Sequence, residues 1–346
     1  MYFPALRSLD LRSNPGSPRW ADVQLSAQEL DAFLRRMVMV IGWDDTRGIS
    51  CVLGSGFLVG TEPDLIAITA SHVLTEWADS VRPPRRHAFS GLHGDDEDLR
   101  KRLNELVQRN LIRAALRCQA PNLYCICQVN SLTFTADPRQ IDVASMTLRG
   151  AAEVGVGGFS AFPVDVEPGR WQGPVLMAGF VKGSSWEPPK DGEQTFRVQQ
   201  TLVVRVGYCR GRINEPPGFG CPMYQLNMQS DPGMSGGPVL ALRSQSREMP
   251  RVISPHAQIH PTAIGIVSRD CIAPTVLLDG SDAGETWVTP IEDAYLLRLG
   301  WRNRSVYFGE AVRDGRIKSY GPRALTAEVF DEPEGRIGLR FGSPNG

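Results

Sequence analysis

At 346 residues, 42% apolar and 22% charged, the chain can bury a substantial core without disulfides or metal, which excludes disorder of the whole chain. Its 37 Lys and Arg against 38 Asp and Glu leave a formal charge of -1, so composition gives no footing for nucleic acid as a partner. No run approaches the roughly 18 apolar residues of a spanning helix, and Met1–Asp10 lacks a signal-peptide layout, so a cytoplasmic protein with no membrane partner is expected.

An N-terminal arm, residues 1–36, carries the capping-box form Ser26-Ala27-Gln28-Glu29 and predicts a short helix to about Arg36. From there, Gly and Pro punctuate short runs rich in Val, Ile, Leu, Phe and Thr, a rhythm of strands joined by turns. The first strands fall at Met37–Trp43, Ser50–Val59 and Leu65–Thr69, with His72 at the start of a helical turn just beyond. Val81–Gly94 is rich in Arg, Pro and His. In Asp95–Arg117, Leu99, Leu103, Leu106, Val107 and Leu111 form one apolar stripe, with acids leading and Arg113 and Arg117 trailing. Residues 81–117 therefore read as a helical insertion with a solvated charged face. Strands resume at Leu123–Thr133 and Val143–Leu148, ending a first unit at about residue 155.

A second unit, 156–300, offers strands at Val175–Val181, Phe196–Val206, Tyr224–Met228, Val239–Leu242, Ala263–Val267 and Thr286–Val288. Thr289-Pro290-Ile291-Glu292 repeats the capping box, and Gly300 can end the helix it starts. Residues 301–346 are an extension that adds one strand. Many short strands without regular intervening helices make the class all-β, a barrel or sandwich architecture. Seven scattered cysteines are an odd number and a poor disulfide framework, so buried free thiols and a reducing compartment are expected. Cys125 and Cys127 have no second ligand pair at a zinc spacing. His87, His93, His256 and His260 sit in polar loops, and no metal and no cofactor is expected.

The chemistry concentrates at three places. Gly233-Met234-Ser235-Gly236-Gly237-Pro238 puts glycines on both sides of a serine, which fits either a plain Gly-rich turn or a loop that brings a nucleophile close to substrate. His72 follows the apolar run Leu65–Thr69 and is held rigidly. Asp142, in Gln140-Ile141-Asp142-Val143-Ala144, adjoins an apolar strand where an unpaired charge is costly, so it requires a partner.

With Gly54–Val59, Thr69–Leu74, Ile141–Ala144, Gly233–Val239, Gly265-Ile266-Val267-Ser268 and Trp287–Ile291, the sequence resembles the trypsin/chymotrypsin-like serine peptidases, in their disulfide-poor bacterial and Deg-protease style. The order His, Asp, Ser is that of the chymotrypsin group. The resemblance implies two six-stranded antiparallel β-barrels, with the insertion in the first and a C-terminal helix. It also implies a serine endopeptidase with His72 as base, Asp142 as its orienting carboxylate, Ser235 as nucleophile, and the amides of Gly233 and Ser235 as oxyanion hole. A catalytically silent binding module and an esterase are the alternatives.

Met234 stands where secreted trypsin-like enzymes carry an Asp that pairs with a released N-terminus, so that activation route is not expected. Gln229, six residues before the serine, corresponds to the base of the S1 pocket. The strand carrying Ser268, Arg269 and Asp270 would pair with an extended peptide or protein substrate. Asp270 reads either as a pocket acid or as a solvated carboxylate, and Asp231 as a turn residue or a second pocket acid. The arm, the insertion or the tail is expected to gate the cleft or dock a regulatory partner protein.

Overall fold

The computed structural model describes residues 20–23, 25, 27–44, 49–61, 64–81, 96–118, 123–135, 141–149, 159–165, 171, 173–181, 195–197, 202–214, 216, 220–244, 259–270, 275–276, 282–283, 286–301, 304–320, 326–332 and 336–342. A short strand β1 (Ala21–Asp22) precedes helix α1 (Ala27–Leu34), whose Phe33 and Leu34 are buried. The expected cap, Ser26, lies outside the described residues.

Six strands build the first barrel: β2 (Met37–Asp44), β3 (Ile49–Gly60), β4 (Leu65–Thr69), β5 (Ile112–Arg117), β6 (Leu123–Phe134) and β7 (Ala144–Arg149). They pair antiparallel in the order β5-β2-β3-β4-β7-β6, and β6 returns to β5, so the sheet closes on itself. Closure leaves no open edge within the ring. Between β4 and β5 lie helices α2 (Ser71–Ser80) and α3 (Asp96–Gln108).

Two expectations about this region are corrected. The amphipathic helix stops at Gln108 rather than Arg117, because Asn110 takes a left-handed φ of 52°. Leu111 N–H then bonds back to Leu106 O (2.8 Å) and Asn110 N–H to Val107 O (3.1 Å), a Schellman closure. Residues 112–117 are accordingly a barrel strand and no part of an insertion.

The second unit runs through β8 (Val164–Asp165), β9 (Gly173–Phe180), β10 (Thr195–Arg197), β11 (Leu202–Ile213), β12 (Met223–Leu226), β13 (Pro238–Ser244), β14 (Ile259–Asp270), the small pair β15 (Thr275–Val276) and β16 (Asp282–Ala283), and β17 (Thr286–Pro290). Strands β9-β11-β12-β17-β14-β13 pair antiparallel in that order and β13 closes onto β9, giving the second six-stranded barrel. The expected single strand Phe196–Val206 is two: β10 pairs with β6 of the first barrel, and β11 belongs to the second.

The expected closing helix is present, but as a 3-10 helix that ends before Gly300. Pro290 is the N-cap of a 3-10 helix, Ile291–Leu296, and the buried Thr289 hydroxyl has no partner among the described residues. Gly300 ends no helix but sits in β18 (Arg298–Trp301), paired with β19 (Arg304–Tyr307). Its carbonyl accepts from Thr147 Oγ1 at 3.0 Å, so the hairpin lies against the first barrel. Helix α4 (Phe308–Arg313) stacks Phe308 on Tyr295, and β20 (Ser319–Tyr320) joins β8 in parallel. A hairpin of β21 (Thr326–Glu332) and β22 (Arg336–Gly342) follows, so the extension adds more than one strand.

One buried cluster fills the first barrel and continues through Leu176, Phe180 and Ile266 of the second to Tyr295, Phe308 and Ile317. Another, around Met177, Tyr224, Val239 and Val288, fills the second barrel. The barrels are therefore packed on each other along a shared apolar face, and the polar site below lies on that seam. No helix among the described residues is long and apolar enough to cross a membrane. Of the six cysteines among the described residues, Cys125, Cys127, Cys209 and Cys221 are buried and Cys51 and Cys118 only partly buried; Cys271 lies outside the described residues.

Candidate active site

His72 is the second residue of α2, directly after β4. Ala70 caps this helix in an extended conformation and has no side chain to offer, so the first helical N–H groups need an acceptor from elsewhere. Asp142, just before β7, supplies it: Oδ1 accepts the His72 backbone N–H (2.8 Å) and the Ser71 hydroxyl (2.9 Å). The same carboxylate meets His72 Nδ1 through Oδ2 at 2.7 Å. A negative charge at a helix N-terminus is favourable in itself, so one buried group both caps the helix and orients its imidazole. Val73, Leu74, Trp77 and Ala78 bury the opposite face of α2, and Trp77 Nε1 donates to Leu111 O at 2.6 Å, which holds the helix in place.

Burial alone would raise the Asp142 pKa. The charge of His72, with hydrogen bonds from its ring, from Ser268 and from its backbone, outweighs that and holds the carboxyl well below the usual carboxylate range. Asp142 is thus ionised at neutral pH. The Ser268 hydroxyl, fully buried, donates to Asp142 Oδ2. Its side chain therefore faces Asp142 in the interior. Its carbonyl accepts from Ser235 Oγ, at 3.5 Å. Ser268 in this way joins the His72–Asp142 pair from the first barrel to Ser235 on the second.

The serine sits in a turn whose internal bonds are well defined. Met234 N–H bonds Asp231 O (3.0 Å), Gly237 N–H bonds Met234 O (2.9 Å), and Gly236 N–H bonds Val267 O (2.7 Å). Among the described residues, no backbone acceptor takes the N–H of Gly233 or Ser235. Gly233 has φ 99° and Gly236 φ 86°, conformations that explain glycine at both positions. A Cβ on Gly236 would also overlap the Ser55 carbonyl and the Thr69 hydroxyl.

In the sequence Ser55 stands out only as part of the stretch Gly54–Val59, yet it ties the turn to the first barrel. Its hydroxyl donates to Gly233 O (2.8 Å) and accepts Phe180 N–H (2.8 Å), while its own N–H donates to Ser235 O (2.7 Å). Gly54 lies between the Ser235 carbonyl and Val73, and a Cβ there would stand 2.8 Å and 2.9 Å from them. The residues flanking His72 and Ser235 thus pack on the same short stretch of β3.

The remaining expected residues are placed differently from one another. The Gln229 side chain is exposed, and its carbonyl accepts from Arg205 Nη1 at 2.6 Å. Asp231 is a turn residue whose carboxylate pairs with Arg205 Nη2 at 2.6 Å. Arg269 and Asp270 are in β14 opposite Trp287 and Thr286, and their side chains lie outside those described. The same holds for His260, while His87, His93 and His256 lie outside the described residues altogether.

Two closed antiparallel six-stranded barrels meet at a seam that holds a histidine and a carboxylate from the first and a glycine-flanked serine from the second. This is the chymotrypsin-type double barrel. No protein-family model matches the sequence, and no curated relative does. Similar solved structures include Rv3671c from M. tuberculosis H37Rv in an inactive form, at 12% identity and TM-score 0.38, covering 76% of this chain and 85% of that one. They also include the protease Anisep from Arthrobacter nicotinovorans (15%, TM-score 0.39, covering 75% and 94%). A third is the HtrA-type protease AlgW with a decapeptide (13%, TM-score 0.39, covering 88% and 74%).

Proposed function

We propose that this double barrel is a serine endopeptidase acting on protein or peptide substrates, with His72, Asp142 and Ser235 as its catalytic residues. The observation that carries the reading is the chain of contacts from His72 Nδ1 to Asp142 Oδ2 (2.7 Å), on through the Ser268 hydroxyl, to Ser235 on the Ser268 carbonyl. A serine hydroxyl is a poor nucleophile until a base removes its proton, and an imidazole, with an ordinary pKa of about 6.5, does so near neutrality.

Asp142 fixes the proton on Nδ1 of His72, which leaves the Nε2 lone pair for Ser235. The Ser235 hydroxyl turns from the long contact with the Ser268 carbonyl to His72 as substrate enters, since such bonds commonly tighten only in the complex. Its oxygen attacks the scissile carbonyl, His72 receives the proton, and the oxyanion is met by the N–H groups of Gly233 and Ser235, loop amides with no backbone acceptor among the described residues. Collapse of the tetrahedral intermediate passes the proton from His72 to the leaving amine and leaves an acyl-enzyme, which water then hydrolyses by the same steps. The odd number and scattered spacing of the seven cysteines support a reducing compartment such as the cytoplasm.

Fluorophosphonate labelling followed by peptide mapping tests the assignment, with a proteome-derived peptide library as substrate. The expected result is an adduct on Ser235 and cleavage that Ser235→Ala abolishes. A folded wild-type chain that neither labels nor cleaves peptides overturns the reading in favour of a binding module, and ester cleavage without peptide cleavage narrows it to an esterase.

A further inference from the structure

Away from the His72–Asp142 pair, an elaborate polar cluster is built on Arg205 of β11. Its side chain is 8% exposed, and a guanidinium at such depth is stable only when its donors are met. Nε donates to Asp22 Oδ1 (2.9 Å), Nη1 to Gln229 O (2.6 Å) and Nη2 to Asp231 Oδ2 (2.6 Å), while the Trp20 ring covers its face at 4.7 Å. One cation therefore ties together three stretches distant in sequence: the arm at 20–23, the strand β11, and the loop that leads to Ser235.

Each end of this tie is itself anchored. On the arm side, β1 adds to the edge of β11 with Ala21 opposite Val206 and Asp22 opposite Arg205, and Val23 N–H donates to Val204 O at 2.7 Å. On the loop side, the Asp231 carbonyl accepts Met234 N–H (3.0 Å) and its own N–H reaches Met234 Sδ (3.3 Å). Arg205 thus grips the residue that closes the turn containing Gly233 and delivering Ser235. Met234, directly before the serine, is buried and uncharged. The charged grip on this turn comes from β11, and its outer half is supplied by the arm.

We propose that Arg205 is a positioning residue for Ser235, and that the arm segment Trp20–Asp22 is a built-in activator that sets it. With the arm docked, the guanidinium bridges Asp22 and Asp231 and holds the turn in one shape. With the arm displaced, it loses an ionic partner and an aromatic cover, water reaches it, and its bonds to Gln229 and Asp231 are exchanged for solvent. The catalytic consequence rests on the peptidase reading above; the coupling of arm to loop does not.

The test uses full-length wild type, Asp22→Ala, Asp22→Asn and Arg205→Gln, with two readouts: amide hydrogen exchange at Met234 and the rate of fluorophosphonate labelling at Ser235. Asp22 is 65% exposed, so its variants are expected to fold. Asp22→Ala is expected to raise exchange at Met234 and slow labelling by about tenfold each, with peptide kcat falling and KM changed less than about twofold. Asp22→Asn keeps an oxygen acceptor for Nε–H and brings both readouts back to within about threefold of wild type, and Arg205→Gln exceeds Asp22→Ala. Unchanged exchange and unchanged labelling in Asp22→Ala overturn the proposal. Raised exchange in the variants with no labelling in any form, wild type included, supports the coupling and overturns the peptidase reading alone.

Discussion

Asp142→Asn removes one charge and keeps the shape, and its effect can be worked out contact by contact. Asp142 accepts from four donors: the Ser71 hydroxyl and His72 backbone N–H on Oδ1, and the His72 ring and Ser268 hydroxyl on Oδ2. An Asn oxygen placed at the Oδ1 position keeps the first two, so the cap on α2 survives. The amide nitrogen then occupies the Oδ2 position and can only donate. Ser268 can rotate to accept, but His72 must present Nδ1 as an acceptor, which moves its proton to Nε2 and removes the lone pair that faces Ser235. The expected loss in kcat is about four powers of ten, or about 5.5 kcal/mol of transition-state stabilisation, with KM little changed. Lost charge-assisted bonds should also lower stability at neutral pH by about 2–3 kcal/mol. Because the native pKa of Asp142 is depressed, its contribution is present above the unfolded value of about 3.9 and is lost as pH falls below it, so the stability difference between wild type and variant narrows in acid. Steady-state kinetics and urea titrations between pH 3 and 8 read both effects. A folded variant with less than a tenfold drop in kcat would refute the role given to this carboxylate.

Gly236→Ala meets both a left-handed φ of 86° and a Cβ overlap with Ser55 and Thr69, and is expected to cost about 3 kcal/mol or more, read as a lower urea midpoint. An unchanged midpoint would mean that the turn relaxes freely. Asp293, in the 3-10 helix after β17, has a buried Oδ2 with no partner among the described residues; burial pushes its pKa up to about 6, opposed only in part by Arg212. A raised native value means the folded chain holds the proton more tightly, so stability falls as pH rises from about 3.9 through 6 and the penalty is complete above that. Asp293→Asn should therefore stabilise the protein by about 3 kcal/mol at pH 8 and by almost nothing at pH 4, measured by urea unfolding at both values. Equal effects at the two pH values would show that ionisation of Asp293 is not the cause.

The residues that announced themselves in the sequence did so through local chemistry. Ser235 stands among glycines that the φ values at 233 and 236 require, and Asp142 adjoins an apolar strand where a charge calls for a partner. Most strands were legible because Gly and Pro bound their apolar runs. The misread stretch Ile112–Arg117 shows where this kind of reading stops. Its Leu, Ile and Ala residues continue the helical spacing of α3, and only the left-handed turn at Asn110 and the pairing with β2 and β6 make it a strand. Likewise, nothing between Phe196 and Val206 marks that β10 would pair with one barrel and β11 with the other. The inward turn of the Ser268 hydroxyl and the grip of Arg205 on Asp231 depend on partners far along the chain, and no periodicity reports those.

The site also explains why the two barrels need each other. Neither holds all three of the residues proposed as catalytic, and the contacts that bring them together are the ones that cross the seam. Ser55 on β3 satisfies Gly233 O and Phe180 N–H of the second barrel, and its own N–H meets Ser235 O. In the other direction, Ser268 on β14 reaches Asp142 of the first. Ser55 and Ser268 are fully buried, so separating the barrels would strand polar groups at about 1–3 kcal/mol each unless water replaced every bond. Docking of the barrels and closure of the turn around Ser235 are for that reason coupled through the same bonds. The arm proposed as an activator reaches this same turn from outside the seam, through Arg205 and Asp231, without touching Ser235.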